Sequence, residues 1–238
     1  MTSIAEIEEH AVVAWPSTHA EQGGGWLLRH TPGVGKRRNN SALPAGPVVS
    51  VDVAEAFYRE RDMPVTVQIS PAEEHAELDA ALAARGYRHD APTVVLTAPA
   101  AAVAAPEPTV TIETRLSPAW RAAYGNEAVS EHVLQRIGAA TGFASITVDS
   151  GIAALGLFVV ADRLSGVFCM ATAPEHRRKG HAAAILRAGA AWSAGRGADM
   201  LYLQVEDDNE GARGLYGKLG FTRSHSYHYR VLSIEESS

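Results

Sequence analysis

Apolar and polar positions change period along this chain, and the changes mark its elements. Residues 4–15 read as a helix, 25–30 as a strand, 48–63 as a helix and 65–69 as a strand. A helix from His75 ends at Gly86-Tyr87, and a strand follows at 93–97. A second series starts with the β-branched run Val110-Thr-Ile-Glu-Thr114. It continues with helices at 118–124 and 130–137 and a hairpin of 144–148 and 152–160 around Asp149-Ser150-Gly151. Next come a strand at 167–172, an alanine-rich helix to about Ser193 and a strand at 200–205. From Asn209 onward, Ala212, Leu215, Tyr216 and Leu219 fall at spacings of three and four and make one helical apolar face. Asn209 suits the N-cap, Gly220 the residue just past the helix, and Phe221 the start of the next strand. Strands and helices interleaved in this way predict an α/β (α+β) chain.

The two series are separated by Ala98-Pro-Ala-Ala-Ala-Val-Ala-Ala-Pro-Glu-Pro108. Prolines remove backbone donors and break regular structure. Residues 99–108 are therefore expected to be a linker, between one domain at 1–98 and a second at 109–238. Both series end alike, with a helix closed by Gly-aromatic and then a strand, at Gly86-Tyr87 and at Gly220-Phe221. Aligning the two glycines sets Leu82 opposite Tyr216.

Candidate chemistry concentrates in residues 167–221. Arg177-Arg-Lys-Gly-His-Ala182 lies between an apolar strand and a helix. A helix start has unsatisfied N–H groups and the positive end of the helix dipole, and it attracts phosphate. Gly180 lets backbone approach a ligand, and Arg177, Arg178 and Lys179 add positive charge. The motif GxxxxGK[ST] of triphosphate loops is absent, and so are the three glycines and following acidic residue of a dinucleotide fold. The turn suits a diphosphate in another frame. In isolation it also suits a solvated basic helix start, and Tyr216 in isolation suits a core aromatic with one wet end.

Together these segments resemble the GNAT superfamily, the GCN5-related N-acetyltransferases. The matching residues are Met170-Ala-Thr-Ala-Pro174, Arg177-Arg-Lys-Gly-His-Ala182 and Asn209-x-x-Ala212-x-x-Leu-Tyr216-x-Lys-Leu-Gly-Phe221, within residues about 109–232. The resemblance implies a mixed central sheet flanked by helices and acetyl-CoA as cosubstrate. It implies backbone from Met170, Ala171 and Thr172 along the pantetheine arm, with Asn209 and Ala212 further on. Arg177, Arg178, Lys179, Gly180, His181 and Ala182 would hold the pyrophosphate, and Tyr216 would protonate the departing thiolate. Position 182 departs from the commoner glycine. Residues 1–98 look like a degenerate GNAT-like half that does not bind acetyl-CoA, since they have neither the turn nor the tyrosine. Trp15-Pro16, Trp26-Leu-Leu-Arg29 and Arg38-Asn-Asn-Ser41 also resemble the N-terminal part of a group of bacterial GNAT proteins.

The residue types fit that reaction. An amine attacks a thioester carbonyl and a thiolate leaves. A Tyr with reference pKa near 10 can donate to a thiolate whose acid titrates at roughly 8–9. Backbone N–H groups at a strand break can polarise the carbonyl. Cys169, the one cysteine, sits mid-strand without an obvious His partner and reads as a small buried hydrophobe, so direct attack in a ternary complex is favoured. The general base stays open. Glu206 ranks first because it ends a strand, ahead of Glu127, Glu131, His132 or a chain of waters.

Composition sets bounds. The chain has 238 residues, 46% of them apolar, with formal net charge −6, and no run is long enough to span a bilayer. The acidic balance argues against general nucleic-acid binding. The start lacks a signal-peptide pattern, so a cytoplasmic protein is expected, and the expected form is a monomer or homodimer. One cysteine excludes an internal disulfide. The ten histidines offer no convincing metal spacing: His225 and His228 fall on opposite faces of a strand. Two functional readings compete: an N-acetyltransferase for a small-molecule or peptide primary amine, and a non-catalytic acyl-CoA-binding or regulatory module. Within the first, resemblance to tandem-domain relatives keeps an amino-acid (glutamate-type) N-acetyltransferase as a substrate-level alternative, one that suits the basic Arg37-Arg38 patch.

Overall fold

Capping and turn chemistry sets the element boundaries in the computed structural model, which describes residues 2–149 and 151–233. Met1, Ser150 of the expected hairpin turn, and residues 234–238 lie outside the described residues. In chain order the elements are α1 (Ile4–Ala14), β1 (His19–Gly23), β2 (Trp26–His30), β3 (Ala42–Pro44), α2 (Asp52–Arg59), β4 (Val65–Ile69), α3 (Ala76–Ala84), β5 (Arg88–Pro99) and α4 (Ala100–Val103). They continue with β6 (Thr111–Glu113), α5 (Pro118–Tyr124), α6 (Glu127–His132), β7 (Ala140–Val148), β8 (Gly151–Ala161), β9 (Leu164–Thr172), α7 (His181–Ala194), β10 (Met200–Glu206), α8 (Glu210–Lys218) and β11 (Thr222–Leu232).

The helices start where the sequence supplies caps. Ser3 and Glu6 form a capping box at α1. Ser117 accepts from the Trp120 amide ahead of Pro118, and Asn126 and Asn209 accept from Val129 and Ala212. Two expected helices are shorter. The helix expected at 48–63 spans Asp52–Arg59, and left-handed Asp62 (φ 52°) follows its end. The helix expected at 130–137 starts earlier, at Glu127, and tightens into a 3-10 turn at Leu134–Arg136.

The chain divides into two compact units, Met1–Pro16 with Val95–Ser224 and Ser17–Val94 with His225–Ser238. This division differs from the boundary expected at 99–108. Helix α1 belongs with the larger unit. The Ala/Pro run is structured: β5 continues to Pro99, and α4 buries Ala100 and Val103. Its prolines sit at the ends, which leaves an alanine run free to form a helical turn. The Ala100 amide donates to the Asp199 carbonyl at 2.7 Å.

In the larger unit the strands lie in the order β10-β9-β8-β7-β6, with β10 parallel to β9 and the rest antiparallel, so the sheet is mixed. Helices flank it. Phe158 of β8 packs where Gly189 of α7 lacks a side chain, and Trp120 of α5 donates to the Ala144 carbonyl at 3.1 Å. Trp120, Leu157, Phe158, Ile185, Leu186 and Leu201 are fully buried.

The smaller unit orders its strands β1-β2-β3-β4-β11, antiparallel except for β3 with β4. Trp26, Tyr58, Ile69 and Leu82 fill its core. Asp79 of α3 takes a bidentate pair from Arg230 of β11, with contacts of 2.7 and 2.9 Å, and a contact of 2.6 Å from His228.

Candidate active site

β9 and β10 pair from Leu164–Met200 up to Val167–Leu203, and there the pairing stops although both strands continue. The cause is local. Leu157 faces Phe168 and Leu155 faces Ala171, so Cys169 and Met170 stand opposite Gly156 alone. This is a β-bulge, with Cys169 in left-handed backbone (φ 53°). The sequence reading places Cys169 inside a regular strand as a buried hydrophobe. The extra residue instead half-buries it at the bulge. The Tyr124 hydroxyl hydrogen-bonds to the Cys169 side chain, and burial is the main cause that raises the Tyr124 pKa.

Where pairing ends, a cavity of about 210 Å³ opens between β9, β10 and α8. Met170, Glu206, Asn209, Ala212 and Tyr216, all singled out from sequence, line it. Tyr216 is 8% exposed, and among the described residues its hydroxyl has no hydrogen-bond partner. Burial raises its pKa, so the side chain stays protonated at neutral pH and can act as an acid. Asn209 Oδ1 accepts from the Ala212 amide at 3.1 Å, which fixes the start of α8 at the cavity rim. Glu206 is exposed at the end of β10.

The basic turn lies beyond the end of β9 and does not line this cavity. Arg178 (φ 61°) and Gly180 (φ 84°) are both left-handed, with Lys179 between them. Such a kinked loop turns backbone N–H groups toward one side. Gly180 is the N-cap of α7 and supplies no side-chain cap, so the amides of His181, Ala182 and Ala183 lack intrahelical acceptors. Arg178, Lys179 and Gly180 are exposed, and His181 and Ala182 are half-buried. Arg177 turns back, its Nε donating to the Thr172 carbonyl at 3.3 Å. Ala171 and Thr172 pair with Leu155 and Ala154 of β8. The other proposed bases are not brought to the cavity. Glu127 is ion-paired with Arg121, and Glu131 and His132 lie on α6 outside the lining.

A family model described as "Probable histone acetyltransferase Rv0428c C-terminal" matches residues 2–230. The chain belongs to this family of GNAT N-acetyltransferases. A Bacillus subtilis (strain 168) protein described as "Uncharacterized N-acetyltransferase YobR" is 29% identical over 97% of this chain and 99% of its own. A GCN5-related N-acetyltransferase from Kribbella flavida superposes with a TM-score of 0.70 at 20% identity, covering 96% of this chain and 93% of its own. A tandem GNAT protein from the clavulanic acid biosynthesis pathway gives 0.62 at 12% identity, with 98% and 89% covered. At these identities the two structures speak for the fold alone.

Sequence reasoning missed part of this GNAT cavity. Phe168 and Gln204 line it too. Phe168 is held by Trp15 (ring centroids 5.3 Å apart) and Tyr202 (6.2 Å). Tyr202 in turn bonds His10 Nδ1 at 2.9 Å, while His10 Nε2 accepts from the Ala161 amide at 3.2 Å. The alternation along β9 and β10 was the available signal for Phe168 and Gln204. No signal joined Trp15 and His10 to them, because they lie more than 150 residues away in sequence. Among the described residues no cluster of His, Cys, Asp or Glu could hold a metal ion, and no helix is long and apolar enough to cross a membrane.

Proposed function

We propose that this GNAT protein transfers an acetyl group from acetyl-CoA to a primary amine by direct attack in a ternary complex. The observation that carries the reading is Tyr216: a buried tyrosine, protonated at neutral pH, its hydroxyl unengaged among the described residues, on a cavity formed where two parallel strands cease to pair. The neutral amine nitrogen attacks the thioester carbonyl carbon, the C–S bond breaks, and the thiolate takes the Tyr216 proton. The proton lost by the new amide nitrogen goes to Glu206, directly or through water, and solvent restores Tyr216. Residues 177–182 bind the diphosphate through backbone amides and charge. Met170, Ala171, Thr172, Asn209 and Ala212 hold the pantetheine arm.

Direct attack keeps Cys169 out of covalent chemistry. Of residues 1–98, the reading takes those in the smaller unit, 17–94, as a degenerate GNAT-like part that lacks the donor-site residues, and the protein as cytoplasmic, a monomer or a homodimer. The acidic composition supports an acceptor other than nucleic acid.

Thiol release from acetyl-CoA tests this with an amine panel that includes amino acids such as glutamate, polyamines and lysine peptides. The family description motivates the lysine peptides. Amine-dependent release supports transfer. Tight CoA binding with no release across the panel favours a non-catalytic acyl-CoA-binding module.

A further inference from the structure

The larger unit has a second depression, of about 650 Å³, that shares no lining residue with the cavity at Tyr216. Its origin is a mismatch of strand lengths. β6 covers β7 only from Phe143 to Ser145, whereas β7 starts at Ala140. The uncovered start of β7, the 3-10 turn Leu134–Arg136 and the last turn of α7 enclose the space.

The walls have two characters. Phe143 and Leu134 are buried, and Trp192 closes against β7, where a Cβ on Gly142 would lie 3.0 Å from its indole ring. At the rim stand Arg115 and Arg196. The Arg196 guanidinium lies 3.9 Å over the Trp192 ring and also donates to the Trp192 carbonyl at 3.3 Å. Among the described residues neither arginine has a carboxylate partner.

We propose that this depression binds a small organic anion with a flat apolar body, of the aromatic carboxylate class. The volume falls in the range typical of small-molecule sites. Guanidinium groups pair with carboxylates through two parallel hydrogen bonds, which suits the two unneutralised arginines. An aromatic body has the half-buried Leu116, Ile137 and the edge of Trp192 as its apolar wall, with Phe143 and Leu134 beneath. Inorganic anions lack the apolar part, and neutral aromatics forgo the arginines.

Calorimetric titration of the full chain with 2-naphthoate and with uncharged 2-naphthalenemethanol tests the site. The carboxylate should bind at least about tenfold more tightly than the alcohol, and the Arg115→Gln/Arg196→Gln double variant should abolish that preference. Both side chains are solvent-facing, and an unchanged melting temperature and acetyl-CoA affinity verify that the variant folds. Saturating CoA should not displace 2-naphthoate. No binding, equal affinity for the alcohol, an unaffected double variant, or displacement by CoA would each overturn the proposal.

Discussion

Leu82 and Tyr216 hold the same place at two helix ends. The Tyr87 amide donates to the Leu82 carbonyl at 3.1 Å, and the Phe221 amide donates to the Tyr216 carbonyl at 3.0 Å. In each case the intervening glycine is left-handed, Gly86 at φ 84° and Gly220 at φ 85°. One backbone device closes both helices, with leucine in one and tyrosine in the other, so the closure itself needs no phenol. Since the Tyr216 hydroxyl has no partner among the described residues, Tyr216→Phe should change stability by less than about 0.5 kcal/mol, readable as an almost unchanged denaturant midpoint. A loss of several kcal/mol would instead make the hydroxyl structural.

The basic turn should act through charge. Arg178→Gln and Lys179→Gln should each weaken acetyl-CoA binding severalfold, about 0.3–1 kcal/mol per charge near a helix start. The salt dependence of binding should become shallower. Calorimetry at two ionic strengths measures both effects, and unchanged affinity in the double variant would remove this turn from the donor site.

Helix α7 is seated by a missing side chain. A Cβ on Gly189 would overlap the buried Phe158 ring, so Gly189→Ala should cost about 1–3 kcal/mol. At Gly156, opposite the bulge, a Cβ would meet Met170 Sδ at 2.6 Å and Ile185 Cγ2 at 2.7 Å. Gly156→Ala should therefore displace Met170 as well as destabilise the fold. It should weaken acetyl-CoA binding, whereas Gly189→Ala should act on stability. Melting curves paired with CoA titrations separate the two. Equal CoA affinity in both variants would dissociate the bulge from the cosubstrate.

Stability should decline toward acid in two steps. Burial lowers the His10 pKa, so below about pH 6.5 the unfolded chain binds a proton that the fold refuses. Stability then falls as pH drops from that value, until the folded form also protonates. Asp79 is held down to about 2, first by its bonds to Arg230 and also by His228. Its contribution is complete above the unfolded value of about 3.9 and is lost as pH falls toward 2. Melting temperatures from pH 7.5 to 2.5 measure both steps. The His10→Gln variant should flatten the upper one and Asp79→Asn the lower, and wild-type slopes in either variant would contradict the assignment.

Local pattern made much of this structure legible. The helix at Asn209, the glycine turn before α7 and the strand ends at Thr172 and Glu206 all follow from caps, periodicity and composition, and the fold brings Met170, Glu206, Asn209, Ala212 and Tyr216 to one cavity. Three features escaped for definable reasons. The bulge at Cys169 depends on register against Gly156, which no single strand encodes. The contact of Trp15 with Phe168 joins residues far apart in sequence. The Ala/Pro run at 99–108 has linker composition, yet its prolines flank an alanine stretch that packs as α4.

The most direct test is pre-steady-state and steady-state thiol release by Tyr216→Phe with an accepted amine, alongside its Kd for acetyl-CoA. The account predicts a fall in kcat of about 10²–10⁴-fold, the usual worth of a general acid, with Kd essentially unchanged. Wild-type turnover in Tyr216→Phe would contradict it.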